Sequence, residues 1–164
     1  MLLQPTAGEV KAWLSRGKKV ERDLRALADE KAMVETRMKY AKSRFGKTTT
    51  RRTRTNEAQD ALAEIAEYSE SIDKRWLEQG KILREIEKTI NKVDDAEARA
   101  VLRYRHILLL PNIYVIADKM YISPRTASRR YRAGLHAVSR ILVKSKRFKA
   151  WLTSERERRL QDNG

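Results

Sequence analysis

The stretch "IADKMYISPRTASRRYRAGLHAVSRIL", residues 116–142, decides how the rest of the chain is read. It contains two helical patterns and a break. The first closes "IYVIADKM", a helix of about two turns that Asn112 can cap after Pro111. The second opens at Ser123, whose hydroxyl suits a helix cap. Pro124 follows, with its fixed φ and missing N–H suited to the first helical position. Ile116, Met120 and Ile122 supply an apolar wedge around the break, and Ala117 is small enough for the second helix to cross closely. Along the second helix Ala127, Tyr131, Leu135, Val138 and Leu142 fall on one side, while Arg125, Ser128, Arg129 and Arg132 fall on the other. Residues 123–149 hold nine Lys and Arg and no Asp or Glu. A short helix, a tight turn and a longer basic helix form a helix-turn-helix pattern. Arg130 stands where such motifs commonly bury an aliphatic residue. Either its stem crosses the edge of the core or the helix is slightly rotated.

Working outward toward the N-terminus, "DAEARAVLRYRHILLL" (95–110) carries apolar residues at Ala98, Val101, Leu102, Ile107 and Leu108. It reads as one short amphipathic helix, capped by Asp94 or Asp95 and ended by Pro111. Before it the rhythm is different. Val10, Trp13, Gly17, Val20, Leu24, Leu27, Lys31, Val34, Met38 and Ala41 step by three and four, with Gly17 and Lys31 as interruptions. The same step recurs at Ala58, Leu62, Ile65, Ser69, Ile72, Trp76, Gln79, Leu83, Ile86, Ile90 and Val93. A sustained 3.5-residue spacing marks a seam facing another helix. Two stripes of nearly equal length predict an antiparallel hairpin, or pairing with another copy of the chain, or both. Trp13 and Trp76 lie on the stripes and are expected in the core.

Between the stripes runs "KSRFGKTTTRRTRTNE" (42–57), expected as a loop over 42–56. Its beginning overlaps "AKSRFGKT" (41–48), which fits the loose form of a phosphate-binding loop. Such a loop needs a buried strand before it and a helix after it. Here the preceding thirty residues carry a helical period, so nucleotide hydrolysis is set aside. Lys42, Arg44, Lys47, Arg51, Arg52 and Arg54 come with no acid before Glu57. They form either a basic tip for phosphate contacts or a solvated turn.

Composition narrows the function classes. The chain of 164 residues has 37 Lys and Arg against 22 Asp and Glu, a net charge of +15. A charge of that size argues for a polyanionic partner: nucleic acid first, an acidic membrane surface second. The membrane reading is weakened because the basic helix already has an apolar side to bury. Six Gly and three Pro favour long helices, and the lack of Cys excludes disulfides and thiolate metal sites. His106 and His136 are too far apart in sequence to suggest a metal pair. No signal peptide or membrane span is read, and no cofactor or catalytic constellation, so a binding protein is expected and not an enzyme.

The fold expected is all-α: a long antiparallel coiled-coil hairpin over 1–93, a helix-turn-helix domain over 94–149, and a charged tail over 150–164. At this point the residues resemble something known. "AVLRYR", "ISPRTASRRYRAGL" and "AVSRIL" resemble the promoter-reading C-terminal region of bacterial sigma factors. Placed behind a long charged helical segment, they are similar to phage late-gene transcription regulators of the RinA and ArpU type. The resemblance implies a sequence-specific activator of late genes in the bacterial host cytoplasm. Double-stranded DNA would be its partner, with RNA polymerase as a second contact, and it would self-associate through the coil. Carried over, Ser123, Arg125, Thr126, Ser128, Arg129 and Arg132 are the DNA-contacting positions. Two departures stand out: the family commonly has Trp or Thr near Ile113 and Tyr114, and Gly near Tyr121. The competing reading is a DNA-packaging protein such as a small terminase subunit, in which the DNA-binding part generally comes first.

Overall fold

The computed structural model describes residues 4–45 and 52–162, and for residues 44, 45 and 52–58 the backbone alone. These residues are all-helical: α1 (Ala7–Phe45), α2 (Arg52–Asn91), α3 (Ala96–His106), α4 (Ile113–Lys119), α5 (Pro124–Leu142) and α6 (Lys146–Asp162). No strand occurs among them. None of the helices is long and apolar enough to cross a membrane. The chain divides into two compact units, one of Lys19–Lys81 and one of Met1–Lys18 with Ile82–Gly164. That grouping differs from a division at residue 93, because both ends of the stripe pattern pack with the later helices.

In the unit Lys19–Lys81 the heptad stripe is the buried side. Leu27, Val34 and Ile72 form a cluster with Leu24 and Ile65 packed against it. Lys31, an interruption in the stripe, is only partly exposed and pairs with Asp73 at 2.5 Å. On Glu30, Arg75 closes an ion pair at 3.6 Å and Tyr68 donates a hydrogen bond. Trp76 departs from expectation: it is 40% exposed. It stands outside the cluster of Leu27, Val34 and Ile72, and the described residues do not enclose its indole. Of the loop expected over 42–56, residues 42–45 belong to α1 and residues 52–56 to α2. No Pro interrupts those residues, and cations suit the end of α1. Residues 46–51 lie outside the described residues.

The other unit has one core. Val10, Trp13 and Leu14 meet Ile86, Ile90, Ala98, Leu102, Leu135, Val138, Leu142, Phe148 and Leu152. Trp13 meets Phe148 edge to face, with ring centroids 6.1 Å apart. The guanidinium of Arg16 lies 4.6 Å from the Trp13 ring centroid and reaches Glu85 at 3.5 Å. Residues 150–164 were expected as a tail, but α6 runs to Asp162. Phe148, Trp151 and Leu152 are spaced three and four apart, and that short stripe packs into the core. A charged pair fastens the same helix. Thr6 and Glu9 form a capping box at the start of α1, Thr6 N donating to Glu9 Oε2 at 2.8 Å and Glu9 N to Thr6 Oγ1 at 3.2 Å. Arg156 of α6 then grips Glu9 with both Nε (2.6 Å) and Nη2 (3.0 Å).

The remaining helix ends follow their caps. Asp95 accepts from Glu97 N and Ala98 N, Asn112 from Val115 N, and Ser123 from Thr126 N. α3, however, stops at His106 and not at Pro111. Leu109 turns to φ 55, and Arg105 donates back to the carbonyls of Leu110 (2.7 Å) and Pro111, which folds the chain into a corner and leaves Leu108 exposed. After α4, Ile122 N bonds Ala117 O at 3.0 Å and Tyr121 N bonds Asp118 O at 3.1 Å. These are the paired bonds of a Schellman stop, which places its αL residue at Tyr121, φ 55. Glycine is the usual occupant of that position. Tyr121 tolerates it with its side chain 96% exposed.

Two close approaches set the packing. A Cβ on Gly17 would lie 3.3 Å from His106 O, so the first interruption in the stripe is where α1 passes the end of α3. A Cβ on Gly134 would lie 2.9 Å from Leu102 Cγ and Cδ1 and 3.3 Å from Ala98 O, so α5 crosses α3 with no room for a methyl group. Gly134→Ala therefore trades an overpacking cost of about 1–3 kcal/mol against about 1 kcal/mol of helix propensity. A net loss of about 1 kcal/mol is expected in chemical denaturation, and a larger loss for Gly134→Val. A Gly134→Ala protein more stable than the parent would show that the crossing is loose.

Candidate nucleic-acid interface

Helix α5 has two chemically different sides. Ala127, Gly134, Leu135, Val138 and Leu142 are buried. With 100° per residue, the opposite side runs through Arg125, Arg129, Arg132, His136 and Arg140, all exposed. That stripe is roughly 22 Å long at ~1.5 Å per residue. The side chains of Arg125, Arg129, Arg132 and Arg140 make no ion pair or hydrogen bond with any described residue. Arg130 has a different role. It is largely covered and pairs with Glu97 in the first turn of α3, so its charge holds α5 to α3 and is not presented to solvent.

At the N-terminal end of the helix, Ser123 Oγ accepts from Thr126 N at 3.1 Å and lies 2.8 Å from Thr126 Oγ1. The Ser123 hydroxyl thus caps the helix, braced by that of Thr126, and both lie beside the arginines. The end that Ser123 caps carries the positive pole of the helix dipole, and no acid occupies its first turn. Arg125, Thr126, Arg129 and Arg132 line an open cleft of about 410 Å³. A second open cleft of about 280 Å³ is lined by Lys11, Arg105, Ile113, Ser128, Tyr131 and Arg132. Arg132 belongs to both.

A neutral pair lies next to the second cleft. His106 is 4% exposed, and its Nε2 lies 3.1 Å from the Tyr131 hydroxyl, with the two rings stacked at 5.9 Å. Burial, with Arg105 and Lys11 adding to it, pushes the His106 pKa down to about 4. Burial also raises the Tyr131 hydroxyl above its ordinary value, against a smaller opposing effect of Arg105. Both groups are therefore uncharged near neutrality.

The six residues expected from sequence on this surface, Ser123, Arg125, Thr126, Ser128, Arg129 and Arg132, are brought together on the first half of α5. His136 and Arg140 extend the stripe and were legible by the same step of four. Lys11 and Arg105 line the neighbouring cleft but lie far away in sequence, so no local pattern announced them. Of the basic loop residues, Lys42 is exposed on α1 in the other compact unit. The side chains of Arg44, Lys47, Arg51, Arg52 and Arg54 lie outside the described residues. Among the described residues no group of His, Asp and Glu is arranged to hold a metal ion. No family model, curated protein or solved structure matches the chain.

The buried groups give this unit a definite acid response. The ordinary His pKa is 6.5, and folded His106 is held at about 4. The unfolded chain therefore takes up a proton first as pH falls, and stability is lost between those values, on the order of 3 kcal/mol. Glu9 is held at about 2 against 4.5, chiefly by its hydrogen bonds from Arg156. Its contribution is present above pH 4.5 and is lost toward pH 2. Urea midpoints measured against pH should show both limbs. His106→Gln should flatten only the upper one, and an unchanged upper limb in that variant would remove His106 as its cause.

Proposed function

We propose that α3, α4 and α5 form a helix-turn-helix domain and that the chain is a sequence-specific DNA-binding transcription regulator. The observation that carries this reading is the unpaired face of Arg125, Arg129 and Arg132 at the capped, acid-free start of α5. Helix α5 packs on both α3 and α4. The Schellman stop at Tyr121 and the small buried Ala117 support the tight turn between α4 and α5. In such a motif the first half of the second helix enters the major groove. Arginine suits that place because its planar fork of donors matches guanine O6 and N7 and also pairs with phosphate.

The unit Lys19–Lys81 is then the coiled-coil hairpin. Met33, Tyr40, Trp76 and Leu77 remain exposed on it, which supports self-association or contact with RNA polymerase. The resemblance to phage late-gene regulators of the RinA and ArpU type supplies the biological setting, activation of late genes, and rests on the residues quoted for it. The order of the parts, with the helical segment first, favours this reading over a small terminase subunit.

The test is selection of duplexes from a random pool, followed by binding measurements at about 150 mM salt. A selected motif should bind well above random duplex. Arg129→Ala should cost about 1–3 kcal/mol and relax specificity at one position. Enrichment of no motif, with binding equal for all duplexes, would remove the regulator reading. A closed ring in sedimentation measurements would move the assignment to packaging.

A further inference from the structure

The cleft beside α5 is chemically one-sided. Lys11, Arg105 and Arg132 contribute cations, Ser128 and Tyr131 contribute hydroxyls, Ile113 contributes an apolar edge, and no carboxylate lines it. Its donors are also held in place. Arg105 is braced by its bonds to the carbonyls of Leu110 and Pro111. Tyr131 is fixed by its contact with His106, 3.1 Å away. Lys11 stands on the first turns of α1, where Val10, Trp13 and Leu14 are buried and the Thr6–Glu9 box closes the helix end. Lys11 itself is exposed and has no carboxylate partner among the described residues. Braced cationic and hydroxyl groups with no carboxylate among them, in an open cleft, suit an anion with several acceptor oxygens.

We propose that this cleft seats a backbone phosphodiester of duplex DNA, with Lys11 and Arg105 as phosphate-binding residues contributed by α1 and α3. The proposal rests on the reading of α5 as the helix that meets DNA. The link between the two is Arg132, which lines both this cleft and the one formed with Arg125, Thr126 and Arg129. A strand running along the arginine face reaches the second cleft by way of that side chain. A phosphodiester presents two unesterified oxygens, and the ammonium of Lys11 and the hydroxyl of Ser128 are suited to accommodate them. The seat carries no base-reading group, so its contribution is affinity and register and not sequence preference. Helix α1 thereby gains a part in DNA binding in addition to its packing role.

Lys11→Gln and Lys11→Glu test this, because Lys11 is exposed and outside the core. Lys146→Gln, at an exposed lysine that lines neither cleft, is the control. Affinity for one selected and one random duplex is measured across about 50–200 mM salt, with the melting temperature of each protein recorded. Lys11→Gln should weaken binding about 3- to 10-fold and reduce the slope of log affinity against log salt by about 1, equally for selected and random duplexes. Lys11→Glu should weaken it further, while Lys146→Gln and all melting temperatures stay close to the parent. Parent-like affinity and slope for Lys11→Gln, with Arg129→Ala still impaired, would overturn the seat and leave the α5 reading standing. Failure of the parent to bind any duplex would overturn both. Amide shifts at Lys11 and Ser128 produced by inorganic phosphate but not by duplex would make the cleft a small-anion site and overturn the DNA assignment.

Discussion

The crossing of α3 and α5 at Gly134 fixes the rotation of α5 about its own axis, and most of the molecule's chemistry depends on that rotation. Leu102 fills the space in which a side chain at residue 134 would sit. With residue 134 pinned inward, the 100° step turns Ala127, Leu135, Val138 and Leu142 toward the core. The same step turns Arg125, Arg129, Arg132, His136 and Arg140 outward. Turning the helix by one residue would begin to push guanidiniums into the core, at several kcal/mol for each unpaired ion. The apolar packing therefore determines which charges the surface presents, without any contact to those charges.

The surface so selected is under electrostatic load. Arg125 and Arg129 stand four apart, and Arg129 and Arg132 three apart, so each pair opposes helix formation by roughly 0.2–0.5 kcal/mol. The helix dipole adds to the effect, since cations at an N-terminus are unfavourable. Among the described residues Arg130 alone of the α5 arginines is relieved, by Glu97. The buried side of α5 offsets this repulsion, and a bound polyanion would remove it. A face that is least comfortable alone and most comfortable against negative charge couples folding to binding, so a ligand of that kind raises apparent stability with its concentration.

What could be read from sequence was what lies within a few residues. Caps at Asp95, Asn112 and Ser123, the stop before Ser123, the buried side of α5 and the stripe through Val10, Val20, Leu27 and Val34 all follow from local rules of period and capping. The all-helical class followed from them. Other features needed partners distant in sequence. The Thr6–Glu9 box has a local signature, but the grip of Arg156 on Glu9 spans 147 positions. That grip, with Phe148 and Leu152, makes a helix of what the charge pattern presents as a tail. Gly17 looks like a flaw in a stripe until the carbonyl of His106 is found against it. Trp76 looks like core until its ring is found outside the cluster of Leu27, Val34 and Ile72 and 40% exposed. Tyr121 occupies an αL position because the hydrogen bonds of the stop hold it there, whatever its own preference.

The same distinction applies to the candidate interface. Its arginines are legible because they share one helix, and the position of Lys11 is not, because a chain of unrelated contacts sets it. Arg156 on α6 holds Glu9, Glu9 closes the first turn of α1 with Thr6, and the buried Val10, Trp13 and Leu14 fix the direction in which Lys11 leaves the helix. Each of these contacts is a stability feature by itself. Taken together they bring an ammonium group to the edge of a cleft shared with α5. Protonating Glu9 would weaken both the grip of Arg156 and the Thr6–Glu9 box, which close the turn before Lys11.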